Sequence, residues 1–493
     1  MIAVSKLFDL NYLHSFLDLN HGKTSAMILP MKKPADYPEM FYRFLLRLVL
    51  GYVILHSGGS AYAMGRQPPA PVSDTAIKEE RVEKAPLTLE ECYDLALVRS
   101  ESLAIEKTDI ELRWANFLQA SGEAVGDLNF RMSHFRQEPQ GIPAGGSDAT
   151  ATAVRSERRT RQFILTQPLF RGFRTLGAVR AAKSLRTKDV QEYERAKQLL
   201  FLDVATAFYS VVRREKDIRI QTEILDLFQR RVTQLTEWEE IGKSRESETI
   251  SARSRLKLVE ADLAIMQGSL LYDRRLLEFL TGISLEDKSL KEPRNNTESF
   301  APLEEYLALA AARPDVMAAE AQHQAAKQNI IIAQSDLWPE IALSGNTYEK
   351  RDGFQSSIDW DMLITIDVPL YTGGTTVGNI KAAAAEAKRT DFNSSRALRL
   401  AELEIKQAYD SWNSSIKESK ALNDAAEAAR RNYEIQAEEY ERSLVNNLDV
   451  LEALETYSDV QIQSDRAFHD EKLNYWRLKV ATGECCGSIG SYE

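Results

Sequence analysis

Residues 359–385, DWDMLITIDVPLYTGGTTVGNIKAAAA, repeat a design already used at residues 160–183, TRQFILTQPLFRGFRTLGAVRAAK. In the later stretch Trp360, Met362, Ile364, Ile366 and Val368 alternate with Asp361, Thr365 and Asp367. That period of two puts apolar side chains on one face of a strand. Pro369 ends the strand, Gly373 and Gly374 turn the chain, and an alanine-rich helix begins near Thr376. Pro168, Gly172 and Gly177 stand 201 residues before Pro369, Gly373 and Gly378. The chain therefore reads as an internal duplication of a strand that feeds a very long helix.

Composition agrees with rods rather than globules. Among 493 residues there are only 23 Gly and 15 Pro, and several long stretches contain neither. A net charge of −11 with no dense basic block argues against nucleic-acid binding. Cys92, Cys485 and Cys486 form no zinc-ligand pattern, and the six His are scattered. No catalytic triad, phosphate loop or cofactor motif is present in the sequence, so the expectation is a non-enzyme without metal or cofactor.

The first 63 residues read as a signal region. Arg43 and Arg47 accompany an apolar run from Phe44 to Leu55, and Ala61-Tyr62-Ala63 has the small-x-small form of a cleavage site. Met40 is then the expected start and Met64 the first mature residue, with a polar lead-in over residues 64–86. A retained anchor from Met1 is the alternative.

The first repeat spans residues 87–282. Thr88 and Glu91 form an expected capping box, with Leu87 placed to staple against Cys92, and the helix runs to about Ala124. Strands are expected at about 127–137 and 159–170, joined by a Gly/Pro/Ser loop from Pro139 to Thr152. Arg155, Arg158, Arg159 and Arg161 crowd the start of the return strand. They suit either contact with lipid phosphates or a solvated loop, and the loop is the simpler reading. A helical hairpin follows over 175–281, with apolar stripes at Ile218, Leu225, Phe228, Val232 and Leu235 and at Leu256, Val259, Leu263, Met266, Leu270, Leu277 and Leu280. Spacing near 3.5 residues describes an antiparallel coiled coil. A polar linker covers 283–301. The second repeat, 302–483, has strands at about 340–350 and 358–369 and a hairpin over 376–482, before a tail at 484–493.

Four amphipathic strands of membrane-crossing length cannot close, and an open edge is not tolerated in lipid. Closure requires several chains: two would give eight strands, three would give twelve and leave a lumen. Asp361, Thr365 and Asp367 would then line that lumen, with Trp360, Met362 and Ile364 toward lipid. A helix of about 100 Å is too long for a bilayer and must project from it.

The doubled helix–strand–strand–helix plan, the PLFRG and PLYTGG junctions and the LDVLEA run at 448–453 together resemble the TolC-type outer-membrane efflux proteins over residues 87–483. The resemblance implies a mainly α fold: a homotrimer whose twelve-stranded barrel in the outer membrane of a Gram-negative bacterium stands on a periplasmic α-helical tunnel. It implies a passive outlet for a tripartite efflux or type I secretion system. Its partners would be an inner-membrane pump, a periplasmic adaptor (membrane fusion) protein and outer-membrane lipid. The rival class is a soluble periplasmic coiled-coil adaptor or scaffold.

Asp449 and Glu452, three apart on one helix face, match positions where relatives carry acidic constriction residues, and Tyr440 matches a family tyrosine before the turn. In a trimer the two acids would make a ring of six carboxylates favouring cations; the alternative is that they simply suit a helix N-terminus. The first turn, with Gly242, Lys243 and Arg245, resembles the adaptor-docking tips of the family. Ser443 stands in the second turn where many relatives have Gly, and Leu444–Asn447 contains no basic residue. Arg442 is the nearest candidate for a salt bridge there.

Overall fold

The computed structural model describes residues 86–138, 157–286, 288–292, 301–353 and 355–484. The signal region, the lead-in up to residue 85, the Pro139–Thr152 loop, Arg155, Pro293 and Cys485–Cys486 lie outside the described residues. All described residues belong to the unit Arg81–Glu493.

Thr88 and Glu91 form the capping box of α1, Leu89–Arg99, and Leu87 and Cys92 share one buried cluster. Burial pushes the Cys92 thiol up to about 12, so it behaves as a small hydrophobe. The expected continuous helix to Ala124 is two helices. Ser100 adopts an extended conformation, and its hydroxyl accepts from the Leu103 N–H to cap α2, Glu101–Val125.

Strands β1, Asp127–Arg136, and β2, Glu157–Arg171, precede α3, Arg174–Glu240, and α4, Glu246–Thr281. The one-and-a-half-turn α5, Leu303–Ala308, and α6, Pro314–Gln334, lead to β3, Glu340–Arg351, and β4, Trp360–Asp367. The chain ends in α7, Thr375–Glu441, and α8, Asn447–Thr482. Helices α3 and α7 each have 67 residues, α4 and α8 each 36, and the members of both pairs start 201 residues apart. At 1.5 Å per residue the longer pair reaches about 100 Å.

Left-handed backbone recurs at the same offset: Gly172 and Gly373, Phe173 and Gly374, Gly242 and Ser443, Gly282 and Gly483. Gly172 has a second reason to lack a side chain, since a Cβ there would lie 2.5 Å from the Ser335 carbonyl oxygen. The strand-to-helix turn packs directly on the end of α6.

The four strands form one antiparallel sheet in the order β1-β2-β3-β4, and both outer edges are unpaired among the described residues. Register places Leu128, Phe130, Met132, Phe163, Leu165, Leu343, Trp360, Met362, Ile364 and Ile366 on one face. The other carries Asn129, Arg131, Gln162, Asn346, Tyr348, Asp361 and Thr365, with Phe135, Ile164 and Leu363 as apolar exceptions.

Helix packing is distributed. α3 contacts α2, α4, α6 and α8, while α7 contacts α6 and α8. Three buried clusters lie along these rods instead of one core. The buried register of α3 runs through Asp217, Gln221, Ile224, Phe228, Arg231 and Leu235. The stripe expected from apolar residues alone thus lies partly at the edge of the true seam, which also carries polar side chains. Among the described residues no helix is long and apolar enough to cross a membrane.

Candidate functional site

The two helical turns, 241–245 and 442–446, lie at the end of the long hairpins away from the sheet, and a built cluster joins them. Both turns are closed by matching backbone bonds: Lys243 N–H to the Trp238 carbonyl at 2.7 Å, and Leu444 N–H to the Glu439 carbonyl at 2.9 Å. The left-handed residue is Gly242 (φ 74°) in the first and Ser443 (φ 61°) in the second. A β-carbon in that region costs about 1–2 kcal/mol, so Ser443 carries strain that Gly242 avoids.

Tyr440, on the last turn of α7, is buried and faces the first hairpin. Its hydroxyl donates to Glu248 Oε2 on α4 at 2.9 Å, and Ser244 Oγ donates to the same oxygen. Burial, then the bond to Glu248, raises the phenol's pKa, which keeps it a donor. Its ring is sandwiched: Arg231 of α3 lies 4.0 Å from the centroid on one side, and Trp238 stacks at 5.4 Å on the other. The Lys243 ammonium caps the stack, 3.7 Å from the Trp238 centroid. Cation, phenol, indole and cation thus form one column.

Arg231 is 6% exposed. Its Nε and Nη2 donate to Asn447 Oδ1 at 3.0 and 2.8 Å, and its Nη1 donates to Gln234 at 2.9 Å. Arg255 of α4 and Glu455 of α8 add an ion pair between the hairpins.

The structure brings Tyr440 and Lys243 into one cluster. Gly242 and Arg245 stay exposed on the turn, and Arg245 caps α4 through backbone alone. Asp449 is half-buried and occupied, because its carboxylate accepts from the Asn446 N–H at 3.0 Å in a capping box. Glu452, one turn on, is exposed. Arg442 pairs with Glu438 on its own helix. Sequence reading missed Arg231, Trp238, Glu248 and Asn447. The available signal was Arg231 itself, a charge three residues after Phe228 and four before Leu235, at seam spacing.

At the sheet, Asp361 accepts from Asn346 Nδ2 and Tyr348 Oη, both at 2.7 Å, and faces Arg351 at 3.7 Å. Thr365 lies on that polar face, and Asp367 pairs in register with Glu340 beside a cleft that also contains Arg171 and Arg174. Among the described residues no cluster of His, Cys, Asp and Glu suits a metal ion.

The family model described as outer membrane efflux protein matches residues 93–283 and 306–484. Outer membrane protein TolC of Vibrio cholerae is 24% identical over 317 residues, covering 62% of this chain and 72% of the relative. The pyoverdine export outer membrane protein OpmQ of Pseudomonas putida is 24% identical over 409 residues, covering 78% and 81%. Among solved structures, the outer membrane protein VceC of Vibrio cholerae superposes with a TM-score of 0.71 at 21% identity, covering 80% of this chain and 96% of that one. The CmeC outer membrane channel of Campylobacter jejuni gives 0.70 at 17% identity, covering 86% and 90%.

Proposed function

Because this chain belongs to the outer membrane efflux protein family, we propose that three copies build one duct: a twelve-stranded barrel in the outer membrane above a periplasmic tunnel of α-helices. The protein is an outer-membrane efflux channel with a large periplasmic part, a transport component and not an enzyme. It conducts passively what an inner-membrane pump delivers through a periplasmic adaptor. The duplicated plan supplies each copy with four strands and two hairpins.

One observation carries closure by several copies. The sheet is apolar on one face, and its β1 and β4 edges have no partner among the described residues, a state lipid does not tolerate. A second supports it: on α4, Leu258, Ile265, Tyr272 and Phe279 recur every seven residues and are each more than 60% exposed. A heptad stripe left uncovered is a coiled-coil seam awaiting a helix, and a second copy supplies one.

In this reading Asp361, Thr365 and Asp367 line the lumen, the Tyr440 column holds the periplasmic end together, and Glu452 with Asp449 faces the narrowed exit. Gly242, Lys243, Arg245 and Ser443 form the adaptor-docking surface. The test is native mass spectrometry of the detergent-solubilised protein beside planar-bilayer recording. A trimer with detergent-dependent ion current is expected. A water-soluble monomer without current, released from membranes by urea alone, would return the protein to the soluble-adaptor class.

A further inference from the structure

The arginines at the start of β2 divide in the sheet. Arg158 turns to the polar face, its guanidinium 4.8 Å from the Phe135 centroid. Arg159 and Arg161 point to the apolar face. The β-bulge between Arg161 and Gln162 sets Lys350 of β3 directly opposite Arg161, 189 residues away in sequence. Arg136, at the end of β1, shares that face.

These cations sit in a particular place. Phe130, Phe163, Thr347 and Trp360 form one row across all four strands, with Phe130 and Phe163 in ring contact at 4.9 Å. Such an aromatic row marks the edge of an apolar band. The next row on the same face, about 7 Å further from the helices, holds Arg161 and Lys350, and the one beyond holds Arg159 and His134. Four exposed cations, Arg136, Arg159, Arg161 and Lys350, face three carboxylates: Glu157 and Glu349, which pair with Arg159 and Arg161, and half-buried Asp352, which accepts from the Arg159 backbone N–H at 3.0 Å. Arg136 and Lys350 have no partner among the described residues.

We infer that this rim is a docking surface for the phosphate-bearing glycolipid of the outer leaflet, with acyl chains on the aromatic row and phosphates on Arg161, Lys350 and Arg159. The inference rests on the barrel reading above, which makes the apolar face lipid-facing and the end remote from the helices the outer one. Charge complementarity and continuity with the apolar band select this occupant.

The experiment titrates full-length protein in neutral phosphatidylcholine nanodiscs with a bisphosphorylated, acylated glucosamine disaccharide. The same lipid stripped of its phosphates, and phosphatidylglycerol, serve as comparison probes. The variant Arg159→Gln/Arg161→Gln/Lys350→Gln should bind the bisphosphorylated lipid on the order of a hundredfold more weakly. This follows from about 1 kcal/mol per basic side chain at an anionic surface and tenfold per 1.4 kcal/mol. Arg158→Gln, an equal charge change on the opposite face, should leave binding unchanged. Single variants Arg161→Gln and Lys350→Gln should each lose several-fold, which keeps the test available if the triple variant folds poorly. Equal binding by variant and parent, indifference to phosphate removal, or equal binding of phosphatidylglycerol would overturn the inference. Current is recorded on the same samples in phosphatidylcholine bilayers. Absence of current in the parent strikes at the barrel reading, whereas normal current without phosphate-dependent binding strikes only at the lipid rim.

Discussion

The Arg231 guanidinium lies over the Tyr440 ring and gives two hydrogen bonds to Asn447 Oδ1, at 3.0 and 2.8 Å, so one side chain of the first hairpin holds both helices of the second. Asn447→Leu leaves that guanidinium buried and two donors short. Hydrogen bonds to charged groups contribute about 1.5–3 kcal/mol each, so the expected cost is about 3 kcal/mol or more. Arg231→Met/Asn447→Leu should recover most of it, because an apolar pair leaves no orphaned charge. Hydrogen exchange at residues 225–240 and 440–455 reads both; equal exchange in single and double variants would contradict the account.

Tyr440→Phe keeps the stacking with Trp238 and Arg231 and removes only the donation to Glu248. A loss of about 1–2 kcal/mol at the tip should raise single-channel conductance while assembly of the proposed trimer stays normal. Conductance equal to the parent's would show that this tie does not restrain the exit.

The acidic ring is better tested at Glu452 than at Asp449. Asp449→Ala also removes the reciprocal half of the capping box, the bond from the Asn446 N–H, whereas Glu452 is exposed and outside the capping box. Glu452→Gln should reduce cation selectivity in planar bilayers with no change in exchange at the α8 N-terminus. Unaltered selectivity assigns both acids to helix-end electrostatics alone.

A pH-dependent strap follows from His469, which is buried on α8. Its Nε2 bonds Glu292 of the linker at 2.7 Å, and its Nδ1 faces Asp465, with Lys472 also on Glu292 and Lys216 on Asp465. Burial opposes the imidazolium, but the bonds to Asp465 and Glu292 outweigh it and lift the pKa to about 9. The His469 bond, set against burial, holds Glu292 down at about 2. A raised histidine stabilises fully below its unfolded value near 6.5 and loses that as pH rises through about 9. A depressed carboxylate stabilises above about 4.5 and fails as pH falls through about 2. The strap is therefore firmest between roughly pH 4.5 and 6.5, and the shared contribution is at most about 3 kcal/mol. Exchange at residues 288–292, corrected for intrinsic rates, should accelerate between pH 8 and 10. In His469→Gln it should be fast throughout; a parent profile flat to pH 10 would refute the linkage.

Ser443→Gly should slow exchange of the Ser443 and Leu444 amides by about fivefold, the equivalent of about 1 kcal/mol of left-handed strain released. The converse, Gly242→Ala, should speed the first turn by a similar factor, although a methyl there would meet open space. Substitutions at Gly242 therefore test backbone strain together with docking, and Lys243→Gln, which frees Trp238, is the cleaner probe of the surface.

How the chain was legible follows from which features are local. The alternation in β4, the Pro and Gly at the junctions and the 201-residue offset are written in neighbouring residues, so strands, long rods and family could be read from them alone. The α1–α2 break was also local, but Ser100 looks like any helix-tolerated serine until its cap is formed. Polar seam residues were not legible. Arg231, Asp217 and Gln221 occupy core positions because of what faces them on other helices, and period counting discards charges by construction. Likewise Arg158 and Arg161 are equivalent as letters. Only pairing with β1 and β3 turns one toward Phe135 and sets the other against Lys350. Periodicity determined the elements, since it depends on backbone geometry alone. Tertiary contact decided the site, since a side chain's role depends on a partner some 200 residues away.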